Sequence, residues 1–324
     1  MNKKFDIKNL FTNPIIIVLG AMLCCALWGS ATPFIKMGYR VVFPMFPIGE
    51  QDVQSTILFA GMRFALAGFI TILIYSIARR KVLYPKRENL GRVAIIACFQ
   101  TIIQYFFFYV GLANTSGEKG TIISGSSSFF AIFISSLIFK QEKLTVKKVV
   151  ACIVGFAGII AVNLSGLDFN MNFKGDCFVL FSAMSLAMSS VLVKIFSKHE
   201  DPVVISGYQF MLGGTVMVIG ALLAGGQIDL SSGKGIAILI YLAFLSAIAY
   251  ALWGMLLKFN PVSKVTIFSF MTPVFGVILT KLMLPDESKV NLITLLASLV
   301  LVCLGVFLLN YTKQKKIPEI KNDD

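Results

Sequence analysis

Charged residues are scarce in this sequence of 324 residues, in which Asp, Glu, Lys and Arg together make up only 14%. A soluble domain averages about 25% charged residues and about 45–50% apolar ones. Here the apolar share reaches 57%, which excludes an ordinary soluble fold and predicts that lipid solvates most of the chain. In a soluble protein the net charge of +13 would suggest a nucleic-acid partner, but in a membrane protein it needs another explanation.

Residues suited to catalysis are also scarce. The chain has one histidine, His199, and no HExxH, GxSxG or GxxxxGK[ST] motif. A membrane-embedded enzyme needs a nucleophile–base pair or a metal cluster, and a nucleotide-driven pump needs the last of these motifs. The six cysteines lack metal-ligand spacing and are predicted to be small packing residues. The sequence therefore predicts no enzyme activity, no metal and no cofactor.

Long apolar runs are abundant. A bilayer core of about 30 Å takes about 20 apolar residues as a helix. Lipid cannot hydrogen-bond open backbone groups, so runs of this length form helices, whereas a barrel would show shorter alternating segments. The sequence predicts an all-α integral membrane protein with ten transmembrane helices, at about 14–38, 54–78, 91–114, 119–139, 146–164, 174–197, 203–225, 235–258, 262–283 and 290–311.

The basic residues sort by side of the membrane. Of the 29 Lys and Arg residues, 21 lie in the two tails and in alternate connectors, and 6 lie in the opposite connectors. The positive-inside rule therefore predicts that the N- and C-termini are both cytoplasmic. The positive charge indicates topology and contact with anionic lipid, and no nucleic-acid partner is expected.

One stretch of the chain occurs twice. GMRFALAGF at Gly61–Phe69 shares Gly, Phe, Leu and Gly, in the same places, with GYQFMLGGT at Gly207–Thr215. The third place is Arg63 in the first copy and Gln209 in the second. Other landmarks recur in the same order, namely Lys36 with Lys194, Tyr105 with Tyr250, Thr121–Ser124 with Thr266–Ser269, Glu142 with Glu287, and Gly158 and Asn163 with Gly305 and Asn310.

These repeats predict two duplicated five-helix units, residues 1–166 and 167–324. Because five is odd, the second unit crosses the membrane in the opposite sense. Inverted repeats of this kind are typical of secondary carriers, whose substrate site lies near mid-membrane between the two units.

Two positive charges lie within predicted spans, Arg63 and Lys36. Arg63 and Gln209 would place a charge on one side of a pseudo-symmetric pathway only, which suits a carrier with a preferred direction. Alternatively, Arg63 reaches the lipid headgroups with its long side chain. Both cations would suit a substrate that carries a carboxylate.

Polar and aromatic residues within the spans are the other candidates for a pathway, because polar groups at membrane depth usually face the protein interior. Gln100 and Gln104 share a helix face beside Tyr105, and hydroxyls follow at Ser124, Ser126 and Ser128. Serines of this kind also serve close helix packing. Trp28 and Trp253 lie within their spans and, with Tyr105 and Tyr250, could form an aromatic cavity or belong to the core.

No acidic residue lies in the middle of a predicted span. Proton relays generally use intramembrane Asp, Glu or His, so the sequence favours facilitated diffusion or exchange over direct proton coupling. Glu142 and Glu287 at helix ends could titrate, or they could stabilise the N-terminus of the next helix through its dipole.

Four segments resemble the EamA-type carriers of the drug/metabolite transporter superfamily, namely ALWGSATPFIK, the Arg-Phe of GMRF, KQEKLTVKK and MTPVFGVILTKLMLPDES. The resemblance implies a ten-helix basket whose central cavity is lined by helices 1, 3, 4, 6, 8 and 9, with helices 5 and 10 more peripheral. It also implies export of amino acids or other small metabolites across a bacterial inner membrane. The usual proline of helix 4 is Ser128 here, while Pro273 keeps it in helix 9, so a kink is expected in helix 9 alone.

The sequence thus predicts a secondary transporter that exports a small metabolite such as an amino acid by alternating access. A vitamin, nucleotide-sugar or drug carrier of the same superfamily is the alternative, and an embedded enzyme or a channel is disfavoured. The expected partners are a small-molecule substrate and the lipid bilayer, for a monomer or homodimer. The candidate pathway residues are Trp28, Lys36, Arg63, Gln100, Gln104, Tyr105, Ser124, Ser126, Ser128, Gln209, Tyr250, Trp253 and Thr272.

Overall fold

The computed structural model describes residues 7–46, 51–115, 117–163, 172–284 and 292–310, which form helices and no strand. After a short helix, Ile7–Thr12, come ten longer ones. They are α1 Pro14–Val42, α2 Val53–Arg79, α3 Arg87–Leu112, α4 Lys119–Ile138, α5 Val146–Asn163, α6 Phe173–Phe196, α7 Pro202–Leu223, α8 Gly233–Phe259, α9 Val262–Met283 and α10 Leu292–Asn310.

Nine helices in the described part of the chain are long and apolar enough to cross a membrane. They coincide with nine of the ten predicted spans. The remaining predicted span, 146–164, corresponds to α5, which is a helix but is not one of these nine. The helical membrane fold is confirmed, whereas the count of ten crossings and the side of the termini stay predictions.

Local sequence explains where several helices begin. The side chains of Asn13, Asp52 and Asp201 each accept a hydrogen bond from a backbone N–H in the first turn of α1, α2 and α7, at 2.8–2.9 Å. Such caps satisfy N–H groups that have no partner within the helix. Pro14 and Pro202 follow at the first helical position, where a missing N–H costs nothing.

The repeated glycines lie where α2 crosses α7. A side chain on Gly61 would come within 3.0 Å of Gly214 O, and one on Gly68 would collide with Gly207 O. The first glycine of each copy thus faces the second glycine of the other copy, so the two helices run antiparallel. Close approach of this kind requires residues without side chains. The duplicated sequence therefore forms a self-complementary contact of the kind that a two-fold axis creates.

A second crossing, between α5 and α10, repeats this geometry. A side chain on Gly158 would lie 2.9 Å from Ser298 O, and one on Gly305 would lie 2.7 Å from Ala151 O. The two contacts join equivalent positions of the two halves, again in antiparallel helices. α10 is also the least buried of the nine spans, which agrees with its expected peripheral place.

Helix α4 is interrupted, although the missing proline predicted a regular helix there. Its helical pattern breaks at Ser126, between Gly117–Gly125 and Ser127–Phe133. The Ser126 hydroxyl donates to Ile123 O at 2.6 Å, and a serine that bonds to the preceding turn competes with the helical ladder. Helix α9, which keeps Pro273, is interrupted too, by a 3-10 turn at Ile267–Phe270, so the expected kink in helix 9 alone stays a prediction.

Glu142, in the connector between α4 and α5, joins the two halves. It accepts hydrogen bonds from Ser135 Oγ at 3.1 Å and from Ser263 N at 2.9 Å, and it forms an ion pair with Lys148 at 2.6 Å. Ser263 lies in the first turn of α9, so Glu142 stabilises a helix N-terminus of the second half rather than that of α5 alone. Its predicted counterpart, Glu287, lies outside the described residues.

We expect Glu142→Gln to lower the melting temperature at neutral pH but to have little effect in acid. Burial raises the pKa of Glu142, but the Lys148 ammonium and the donors of Ser263 outweigh it, so the pKa lies below its ordinary value of 4.5. A carboxylate whose pKa is lower in the folded state than in the unfolded state contributes its full stabilisation of the fold when the pH is above the unfolded-state pKa. This contribution is lost as the pH falls through the folded-state pKa.

The measurement is the melting temperature of both proteins in detergent micelles, from about pH 7 to about pH 3. Glu88→Gln, at an exposed glutamate 4.0 Å from Lys86, is the control and should match the unmodified protein at every pH. A difference between Glu142→Gln and the unmodified protein that stayed constant with pH would contradict the assignment.

Candidate functional site

Arg63 lies in the protein interior, on α2, and is only 5% exposed. Its Nε donates to Ser246 Oγ on α8 at 2.9 Å, and its guanidinium lies 5.0 Å from the centre of the Phe64 ring. Ser246 in turn donates to Leu242 O at 2.9 Å. The alternative in which Arg63 reaches the headgroups does not describe this structure. A buried guanidinium needs strong acceptors, so its surroundings matter for function.

Gln209, the counterpart of Arg63, occupies the equivalent place in α7. It is fully buried, and its Oε1 accepts from Thr101 Oγ1 on α3 at 2.7 Å. Thr101 and Ser246 are themselves equivalent positions of the two halves. The structure therefore contains the same side-chain contact twice, once with a cation and once with a neutral amide.

Tyr105 and Tyr250 meet between these two contacts. Their hydroxyl groups are 3.0 Å apart, across a sequence separation of 145 residues. Phe64 stacks on Phe210 at 5.1 Å, and each ring also contacts the tyrosine of its own half, at 4.4 Å and 4.7 Å. Two pairs of equivalent residues thus touch each other, which marks the centre of the pseudo-two-fold arrangement.

The two tryptophans extend this aromatic cluster to one side. Trp28 on α1 lies 5.1 Å from Tyr250 and 5.0 Å from Trp253, both on α8 and both in edge-on geometry. The four aromatic residues singled out from the sequence are therefore brought together. We use "central cluster" for Trp28, Phe64, Tyr105, Phe210, Tyr250 and Trp253.

Gln100 and Gln104 are both buried on α3. The stretch Ala97–Ile103, which holds Gln100 and Thr101, is a π-helix. Wider turns of this type are frequent at functional sites. Thr101 in this stretch contacts Gln209 on α7, and Tyr105 just after it contacts Tyr250 on α8.

The serines of α4 are divided between packing and polar roles. Ser128 Oγ lies 2.6 Å from Ser269 Oγ and donates to Thr266 O at 2.9 Å, so it joins α4 to α9. Ser126 bonds within its own helix, as described above. The Ser124 hydroxyl is buried without a hydrogen-bond partner among the described residues.

Two candidates remain, Lys36 and Thr272. Lys36 is exposed, whereas Arg63 is buried. Thr272 lies on α9 beside the buried thiol of Cys25, which donates to Phe268 O at 3.1 Å. Cys24 likewise bonds to Ala249 O at 3.3 Å, so these two cysteines pack α1 against its neighbours.

Several members of the site escaped the sequence reasoning. They are Phe64, Phe210, Thr101, Ser246, Tyr39 and Tyr109. Tyr39 and Tyr109 lie close enough to Arg63 for an electrostatic interaction, as do Tyr105 and Tyr250. The offset of 145 residues links Thr101 with Ser246, as it links Tyr105 with Tyr250, and could have revealed Thr101 and Ser246 as a pair. Tyr39 and Tyr109 carry no such signal. No group of three metal-ligating residues occurs in the described ranges.

Comparison with known proteins gives one consistent result. The model of the EamA-like transporter family matches residues 15–164 and 173–311. An uncharacterized transporter of Synechocystis is 25% identical, over 87% of this chain and 92% of its own, and one of Bacillus subtilis is 21% identical, over 93% and 98%. A protein of Arabidopsis thaliana described as WAT1-related and chloroplastic is 24% identical, over 88% and 67%.

A solved crystal structure shares the fold. It superposes with a TM-score of 0.73, covering 91% of this chain and 96% of the other, at 15% sequence identity. The arrangement of helices is therefore one already seen in another protein.

Proposed function

Because the chain belongs to the EamA-like transporter family, we propose that it exports a small metabolite, such as an amino acid, by alternating access between two inverted halves, residues 1–166 and 167–324. The substrate binds at the central cluster, where the halves meet. Rocking of one half against the other then exposes this site to each face in turn.

One observation carries this proposal: a buried arginine and its neutral counterpart flank an aromatic cluster at the pseudo-two-fold centre. The paired glycine contacts of α2 with α7 and of α5 with α10 supply the interfaces about which two halves could move. A site at the centre of two equivalent units is accessible from either face after a symmetric rearrangement.

The transporter works in the cell membrane, with both termini in the cytoplasm, according to the distribution of Lys and Arg. The spans hold no mid-membrane acid, which favours facilitated diffusion or exchange. A vitamin, nucleotide-sugar or drug could replace the amino acid as cargo. A phosphorylated cargo is disfavoured because Arg63 is the one buried cation that contacts the central cluster among the described residues.

Efflux from proteoliposomes tests the proposal. Vesicles loaded with a mixed pool of amino acids and other metabolites, without any ion gradient, are compared by mass spectrometry with protein-free vesicles. We expect selective loss of one chemical group. Retention of every compound, with or without an imposed gradient, would contradict a transport function. Loss only under a pH gradient would refute the uncoupled mechanism alone.

A further inference from the structure

The buried polar groups at the site leave more hydrogen-bond donors than acceptors unpaired among the described residues. Arg63 uses Nε for Ser246, and none of its guanidinium nitrogens forms an ion pair with a carboxylate of the described residues. Trp28 Nε1 and Gln209 Nε2 are buried donors without a partner there. Gln104 Oε1, on α3, is a buried acceptor without a partner among the described residues. Unpaired buried donors cost free energy until an acceptor reaches them.

Two of these donors, Arg63 and Trp28, lie against the central cluster on the same side as α8, whereas Gln209 contacts Thr101 on α3. The Arg63 guanidinium lies 5.0 Å from the centre of the Phe64 ring, which stacks on Phe210. Trp28 contacts Tyr250, and Ser246, the partner of Arg63, lies one helical turn before Tyr250. The central cluster thus places a stacked pair of rings, Phe64 and Phe210, beside a positive charge that has no carboxylate partner among the described residues.

We infer, on the premise of the proposed function, that this site selects an organic monocarboxylate with a flat apolar body and does not read an ammonium group. The carboxylate binds the free guanidinium nitrogens of Arg63, for which a planar fork of donors is well suited. The apolar body packs among Trp28, Tyr105 and Tyr250.

An ammonium group finds no matching partner here. No carboxylate of the described residues contacts the cluster, and a substrate cation would lie near a guanidinium of like charge. A second carboxylate on the substrate would be buried without its own cation, which is costly. One charge of one sign, on an apolar frame, is the cargo that the residues can satisfy.

Binding to the purified full-length protein tests this with four probes that share a phenylethyl body. Hydrocinnamate carries only a carboxylate, phenethylamine only an ammonium, phenylalanine both, and hydrocinnamamide neither charge. The chain has 2 tryptophans, Trp28 and Trp253, and both belong to the cluster. Their fluorescence, excited where tyrosine and the probes do not absorb, therefore reports binding at this site directly.

We expect saturable binding of hydrocinnamate, weaker binding of phenylalanine because its ammonium group has no partner in the site, and no binding of the amine or the amide. Arg63→Gln should weaken hydrocinnamate binding about 10- to 100-fold, the range of a charged hydrogen-bonded contact, and Arg63→Lys should weaken it less. Lys258→Gln, which removes a cation near Phe259 at the end of α8, is the matched control and should bind normally.

The unmodified protein alone can overturn the inference. Binding of phenethylamine as tight as that of hydrocinnamate, binding of phenylalanine as tight as or tighter than that of hydrocinnamate, or no binding of any probe would each do so. The proposed function fails separately: hydrocinnamate that binds but leaves loaded vesicles no faster than it leaves protein-free vesicles would refute transport and leave the binding inference intact.

Discussion

Replacing Gly214 by alanine is expected to destabilise the protein by about 3 kcal/mol, the upper end of the usual cost of overpacking. The new methyl group would meet the backbone of α2, at Gly61 O (2.7 Å) and Ala65 Cα (2.9 Å). No flexible side chain can move out of its way, so the two helices must separate. The measurement is the melting temperature in detergent micelles, followed by tryptophan fluorescence.

Two other glycines of the same helix provide graded controls. At Gly207 a methyl group would meet the end of the Ile72 side chain at 2.5 Å, which can rotate away, and at Gly220 it would meet nothing within 4 Å. Gly207→Ala should therefore cost less than Gly214→Ala. Gly220→Ala should match or exceed the unmodified protein, because alanine is the better helix former. Equal melting temperatures for the variants at Gly214 and Gly220 would contradict the close crossing of α2 and α7.

The repeat explains how much of the fold could be predicted from the sequence. Apolar runs locate helices because lipid leaves the backbone no alternative. The two GxxFxLxG copies carry more information, since glycines at matching places in both halves indicate a shared contact. Tyr105 and Tyr250, paired by their spacing alone, do touch. A residue near a two-fold axis meets its own equivalent, so a repeat predicts such contacts without any knowledge of the remaining structure.

Contacts between non-equivalent helices could not be predicted in this way. The partner of Arg63 is Ser246, which is 183 residues away, and many hydroxyls on several helices were equally plausible. The break at Ser126 depends on one side-chain bond to its own backbone. Glu142 was expected to serve the adjacent helix, yet it also holds Ser263 of the other half. Each outcome follows from packing distances that the sequence does not contain.

The pair of contacts formed by Arg63 with Ser246 and by Gln209 with Thr101 allows a test of directionality. The two contacts occupy equivalent places in the two repeats, so the two-fold operation exchanges them. In the alternating-access mechanism proposed above, the same operation exchanges the state open to one face with the state open to the other. Moving the cation from position 63 to position 209 should therefore give each face of the protein the substrate affinity that the opposite face has in the unmodified protein.

The double variant Arg63→Gln, Gln209→Arg is expected to exchange the half-saturation constants measured on the two faces of oriented proteoliposomes. Without a coupling ion, detailed balance forbids net flux between equal concentrations, so a preference can appear only as unequal constants on the two faces. A hydroxyl can donate or accept, so Thr101 can turn to accept from the new arginine as Ser246 does from Arg63.

The single variants separate this effect from simple damage. Arg63→Gln alone should weaken saturation on both faces about 10- to 100-fold, because no cation remains for the carboxylate. Gln209→Arg alone carries a cation in each half and should make the two constants more alike. Thr101 packs tightly against Gly213, since a methyl group added to Gly213 would lie 2.6 Å from Thr101 Cβ. The melting temperatures of the variants show whether an arginine at position 209 strains this contact. A folded double variant that kept the original order of the two constants would show that the preferred direction arises elsewhere than in this pair.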